Sequence, residues 1–158
     1  MVYSFVPSQK KEKWPWTKIG PASGPAFVMK ILYSDTYTVR LPDGHRFPMS
    51  KYALLRQAVE AAGLVPPGDL RPAPPATDEE ILRAHDRDYL ERLVAGDLTV
   101  NEIRRIGLPW SPELVVRARH AVGGTIAACR AALEDGLAVN LAGGTHHAFP
   151  DHGQGFCL

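Results

Sequence analysis

The sequence predicts an α/β domain built on a parallel sheet, and three observations point there. Phe27-Val28-Met29-Lys30-Ile31-Leu32-Tyr33 is a short apolar run with β-branched and aromatic residues, the pattern of a buried strand. A long helical pattern, Ser111–Asp135, leads into a second such run, Leu137-Ala138-Val139-Asn140-Leu141. Strands linked through a helix of that kind pair in parallel. Gly and Pro, 14 of each in 158 residues, also call for more turns than a plain helical bundle needs.

Residues 1–26 read as an irregular N-terminal extension. They hold Lys10, Lys11 and Lys13, the Trp14-Pro15-Trp16 cluster and a scatter of Gly and Pro without periodicity. The domain is read over residues 27–158. After the first strand, Asp35–Phe47 is a loop with a turn signal at Leu41-Pro42-Asp43-Gly44. Ser50–Ala62 is read as a helix on Tyr52, Leu55, Val59 and Ala62, with Gly63 as its stop. Leu64–Ala76 holds five prolines and is a connector or a short edge strand. Thr77 and Glu80 make a capping box for a short helix, Asp78–His85.

A further helical segment, Asp86–Val94, shows Tyr89, Leu90, Leu93 and Val94 as its apolar side, and Leu98–Ile106 adds a helical turn or two. Gly107-Leu108-Pro109-Trp110 breaks the pattern. Ser111-Pro112-Glu113 then starts the long helix: a capping hydroxyl, a proline at the first position and an acid near the positive end of the dipole. Its apolar face is read as Leu114, Ala118, Ala121, Val122, Thr125, Ala128, Cys129 and Ala132, and Gly136 closes it. Gly123-Gly124 costs helix stability, roughly 1 kcal/mol per glycine, and invites close packing.

Composition narrows the function. A balance of 18 Lys+Arg against 17 Asp+Glu gives no global reason to bind nucleic acid or an anionic membrane surface. No apolar run nears the about 18 residues of a membrane helix. Two cysteines, Cys129 and Cys157, exclude a disulfide framework and a Cys-based zinc finger and suit a reducing compartment. Met1–Pro7 is followed by charged residues rather than an apolar core, so no signal peptide is read and a cytoplasmic address is expected.

The chemistry concentrates in the last twenty residues. The second strand runs into Ala142-Gly143-Gly144-Thr145-His146-His147, and loops at the carboxyl ends of strands are where α/β proteins build sites. The glycines let backbone approach a ligand or a neighbouring strand closely. Two adjacent imidazoles suit hydrolysis, because each can take and return a proton near neutral pH. Asp151-His152 could weakly support a metal. Gly155-Phe156-Cys157 follows.

Ala142-Gly143-Gly144-Thr145-His146-His147-Ala148 together with Gly155-Phe156-Cys157 resembles the signature of the histone deacetylase superfamily, zinc-dependent amidohydrolases of the arginase/deacetylase fold. Pro42–Tyr52 is similar to the opening segment of its bacterial and class IV-like branch. Ala84-His85-Asp86-Arg87-Asp88-Tyr89-Leu90 resembles its His-Asp-x-x-Tyr-Leu segment, and Ile106–Ser111 sits where the family has a loop bordering the active site. The resemblance covers about Val28–Leu158. It implies a three-layer parallel-sheet fold, present as an incomplete N-terminal part.

The resemblance also implies roles. His146 and His147 match paired catalytic histidines, a general base and a general acid, with the assignment between them open. Gly144 matches the backbone beside the substrate channel. Gly155 and Phe156 match the wall of the narrow tube that holds an acetyl-lysine or acetylpolyamine chain. Cys157 matches a buried cysteine that is not a ligand. The family's zinc is held by two aspartates and a histidine from segments after Gly-Phe-Cys, so no metal ligand is expected among these residues. The parent reaction is hydrolysis of an N-acetyl amide to acetate and a free amine, and this chain alone is expected to be inactive. Two rival readings share the motif: a non-catalytic remnant that binds a partner or nothing, and a part that complements a second chain carrying the metal ligands.

Overall fold

A computed structural model describes residues 29–143 and 147–158. The irregular extension, the start of the first predicted strand, and Gly144, Thr145 and His146 lie outside the described residues.

Three parallel strands form the sheet, in the order β2-β1-β3. The central strand β1, Lys30–Tyr33, buries Ile31 and Leu32. The proline-rich connector supplies β2, Leu70–Pro72, at one edge, paired Ile31 with Leu70 through Tyr33 with Pro72. Proline fits there because an edge strand has backbone donors to spare. Strand β3, Ala138–Asn140, pairs on the other side, Lys30 with Ala138 through Leu32 with Asn140. The Leu141 amide continues the ladder onto the Leu32 carbonyl at 2.9 Å.

Helix α1, Lys51–Ala61, follows Ser50, and Gly63 beyond it takes a positive φ of 58°. Helix α2 spans only Asp78–Ile81, shorter than the spacing predicts. Its capping box is made in both directions between Thr77 and Glu80. The chain then runs through a tight turn, in which the Ala84 and His85 amides both reach the Ile81 carbonyl; the Asp86 amide bonds the Pro150 carbonyl at 2.9 Å, and Asp86 precedes α3, Arg87–Ala95. Tyr89, Leu90 and Leu93 are buried as read, whereas Val94 is exposed. Helix α4, Val100–Ile106, has a second capping box between Thr99 and Glu102. Gly96 and Gly107 close α3 and α4 in the left-handed conformation.

Helix α5, Pro112–Asp135, starts on Ser111, whose hydroxyl accepts the Leu114 amide, and stops at Gly136. Its buried face differs from the one read in the sequence: it is Leu114, Val115, Arg117, His120, Gly123, Gly124, Ala128 and Ala131, while Val122, Thr125 and Cys129 are exposed. Backbone approach decides this. A β-carbon on Gly123 would fall onto the Pro74 carbonyl oxygen, and one on Gly124 would stand 2.9 Å from Ala73 and Asn140. The glycine side of the helix therefore faces the sheet. His120 follows it inward, donating from Nδ1 to the Ala73 carbonyl at 2.7 Å and stacking on Tyr37.

Two apolar clusters result. Leu32, Ala73 and Ala128 join sheet to helix. The larger one gathers Phe47, Tyr89, Leu93, Ile106, Leu108 and Leu114, and Phe156 and Leu158 pack against it.

Candidate active site

The carboxyl end of β3 is held to α5 by Asn140. Its Nδ2 donates to the Ala121 carbonyl and the Thr125 hydroxyl, each at 3.0 Å, and its Oδ1 accepts the Ala142 amide at 3.2 Å. The strand therefore delivers Ala142, which is buried, and then Gly143 to one place beside the helix. Of the predicted site residues, Gly144 and His146 fall outside the described residues, and His147 is described.

Gly155 and Phe156 form the two central positions of a tight turn. The Gln154 amide donates to the Cys157 carbonyl and the Cys157 amide returns to the Gln154 carbonyl, both at 2.9 Å. Both central residues have positive φ, 57° and 68°, as in a type I′ hairpin turn. Glycine adopts this freely, but a phenylalanine there costs about 1–2 kcal/mol. Phe156 is the one non-glycine residue with positive φ among the described residues.

The carboxyl end of α4 holds that strained turn. The last carbonyls of a helix lack intrahelical donors. Here the Arg105 carbonyl accepts the Gly155 amide at 3.1 Å, and the Ile106 carbonyl accepts the Phe156 amide at 2.7 Å. The Phe156 ring lies 5.1 Å from the Phe47 ring, beneath the Arg46 guanidinium at 4.9 Å, and close enough to Gly107 that a β-carbon there would stand at 3.2 Å.

The turn also meets His147. A β-carbon on Gly155 would stand 3.2 Å from the His147 ring. Three of the predicted site residues, His147, Gly155 and Phe156, thus come together in the structure. The His147 ring is exposed, Phe156 is half-buried, and Cys157 is half-buried rather than fully enclosed.

Burial pushes the Tyr89 hydroxyl up to about 12, with the charge of Glu102 adding to it. A β-carbon on Gly153 would stand 2.8 Å from that hydroxyl, so only glycine fits there. The Thr99 hydroxyl, then Arg92, then the Thr99 amide hold the Glu102 carboxyl down at about 2. Arg117 is buried, with its guanidinium 4.8 Å from the Tyr52 ring centre and 5.6 Å from that of Phe47. Among the described residues no carboxylate pairs with it. Arg117, Phe47, Tyr52, Gly143 and Phe156 line a cavity of about 60 Å³ at this end of the sheet.

A zinc site does not fit the described residues. No three His, Cys, Asp or Glu side chains among them converge. Nδ1 of His152 bonds Asp151 at 2.6 Å, and its ring stacks on Phe149. His45 and His120 are turned to backbone carbonyls, and His85 lies against Tyr89.

Residues 45–158 match the family model of the histone deacetylase domain. The chain belongs to the histone deacetylase family. An uncharacterized protein of Picosynechococcus is 45% identical over 129 residues, 81% of this chain and 43% of that protein. The histone deacetylase-like amidohydrolase of Pseudomonas aeruginosa is 35% identical over 123 residues, 73% of this chain and 31% of that protein. Among solved structures, a histone deacetylase homologue from Aquifex aeolicus superimposes with a TM-score of 0.68 at 29% identity, over 82% of this chain and 37% of that one. The sheet and helices described above are therefore an incomplete arginase/deacetylase-like fold. The chain spans less than half the length of these relatives.

Several members of this candidate site escape a reading of the sequence. The carbonyls of Arg105 and Ile106 act through backbone, which carries no sequence signal. Asn140 reads as one more residue of a buried strand. Arg117 sits within a helical apolar pattern, and only its charge on that buried side could have marked it.

Proposed function

We propose that this chain supplies the histidine pair and one channel wall of a deacetylase that hydrolyses N-acetyl amides, on acetyl-lysine or an acetylpolyamine. The reading assigns the zinc ligands to the part of the relatives' length that this chain does not span. The observation that carries it is the packing of the His147 ring on Gly155 in the same turn that presents the Phe156 ring. An imidazole that can accept and return a proton then stands beside an aromatic face able to pack on the methylenes of an extended chain. His146, adjacent in sequence, is the second proton-transfer group of the reading, and Gly144 is the backbone that borders the channel.

The test is acetate release from an acetyl-lysine peptide and from an acetylpolyamine, in the presence of zinc. The chain by itself is expected to release none. Mixed with a polypeptide covering the remaining length of the Picosynechococcus relative, it is expected to release acetate, and His147→Ala is expected to abolish that release. A reconstituted complex that forms stably but gives no turnover, or one whose turnover survives His147→Ala, would overturn the reading.

A further inference from the structure

We propose that His45 is a positioning residue: it pins the carboxyl end of α4, and through it the Gly155–Phe156 turn. The proposal rests on the reading of that turn as a channel wall, and it adds to it the device that fixes the wall.

The geometry leaves His45 one arrangement. Its Nδ1 faces the Phe47 amide at 3.1 Å, and its Nε2 faces the Gly107 carbonyl at 3.1 Å. A backbone N–H can only donate and a carbonyl can only accept. Nδ1 is therefore the bare nitrogen and Nε2 carries the proton. One ring thus ties the loop before α1 to the residue that ends α4, across 62 positions of sequence.

Gly107 is the third of three consecutive carbonyls at the end of α4 that accept from outside the helix. Arg105 takes the Gly155 amide, Ile106 takes the Phe156 amide, and Gly107 takes His45. The Phe156 ring rests against the same pin, 6.3 Å from the His45 ring in an edge-on arrangement and in close approach to Gly107. A left-handed phenylalanine persists only where its surroundings over-determine it. Here two amides and one ring are held from a single helix end, and His45 sets where that end stands.

Amide hydrogen exchange of Gly155 and Phe156, read by NMR on the full chain, tests this. His45→Ala is expected to speed exchange at both amides about tenfold, the worth of one partly buried hydrogen bond to a local opening. Leu32 and Leu141, whose backbone belongs to the sheet, are expected to keep their rates. His45→Gln reaches the Gly107 carbonyl with its amide nitrogen and is expected to restore protection. His45→Asn keeps an acceptor near the Phe47 amide but does not reach Gly107, and it is expected to exchange as fast as the alanine variant. A merely structural role would treat Gln and Asn alike. Unchanged exchange in His45→Ala, or equal exchange in the Gln and Asn variants, overturns the proposal. Should the alanine variant not fold, the Gln–Asn comparison decides alone. No turnover enters the measurement, so a failed deacetylase assay and a failed pin remain separate results.

Discussion

The His147 ring sits over the α-carbon of Gly155, where a β-carbon would stand 3.2 Å from Cδ2 and Cγ. Sequence separates the two residues by a loop, and the turn brings them into contact. The φ of 57° at Gly155 adds a second reason for glycine. Gly155→Ala should therefore lose about 1–2 kcal/mol for the left-handed backbone and also push the imidazole aside. Urea unfolding should show the loss, and the His147 ring resonances should shift. Wild-type stability together with unmoved resonances would mean that the contact does not exist.

Gly123 makes the opposite kind of test, because two effects of known size compete. Alanine is better than glycine inside a helix by about 1 kcal/mol. A β-carbon at this position, however, would collide with the backbone of Pro74, Pro75 and Ala76, which cannot swing away as a side chain would. Overpacking of this sort costs about 1–3 kcal/mol or more, so Gly123→Ala should destabilise despite its better propensity. Gly68→Ala meets nothing within 4 Å and serves as the silent control. Chemical denaturation of both variants decides it, and a more stable Gly123→Ala would refute the close packing.

How much of this was legible follows from which interactions are local. The capping box at Thr77, the Ser111-Pro112-Glu113 start and the glycine stops depend on residues a few positions apart, and they stand in the structure where the sequence places them. The motif around His147 and Gly155-Phe156 was legible as a resemblance. The buried side of α5 was not. A hydrophobicity pattern favours Val122 and Cys129, but the helix turns inward the side that carries Gly123 and Gly124, and His120 and Arg117 come with it. The support of the Phe156 turn was also hidden, since it is made of carbonyls about fifty positions upstream.

Asn140 links strand to helix through both ends of one amide. Asn140→Asp keeps the oxygen that accepts the Ala142 amide but replaces the donor, leaving a carboxylate oxygen against the Ala121 carbonyl. Setting a carboxylate oxygen against that part-buried carbonyl, where a hydrogen bond had been, costs about 1–3 kcal/mol. Asn140→Asp should be destabilised by that amount at neutral pH and recover part of it as the carboxyl is protonated, because a protonated oxygen can donate again. Thermal melts at pH 7 and pH 4 measure the difference. A variant equally stable at both values would mean that the Nδ2 bonds contribute nothing.

Glu102 connects acid stability to the site. Its carboxylate accepts the Thr99 hydroxyl and amide, both at 2.7 Å, and the Arg92 guanidinium at 2.8 Å, and together these hold its pKa near 2. The folded value lies below the unfolded one, so the folded state favours the charged form. The resulting stability is fully present above the unfolded value, about 4.3, and is lost as pH falls towards 2. Each unit is about 1.4 kcal/mol; partial solvent exposure of the pair trims the sum to about 1–2 kcal/mol. Glu102→Gln should forfeit that amount at pH 7 and flatten the acid limb of the stability curve between about pH 4.3 and pH 2. The same substitution weakens the amino-terminal cap of α4, the helix whose other end holds Gly155 and Phe156. Faster hydrogen exchange at those two amides should accompany the lost stability, and a variant with wild-type acid denaturation would show that the Glu102 carboxylate is not held below its unfolded value.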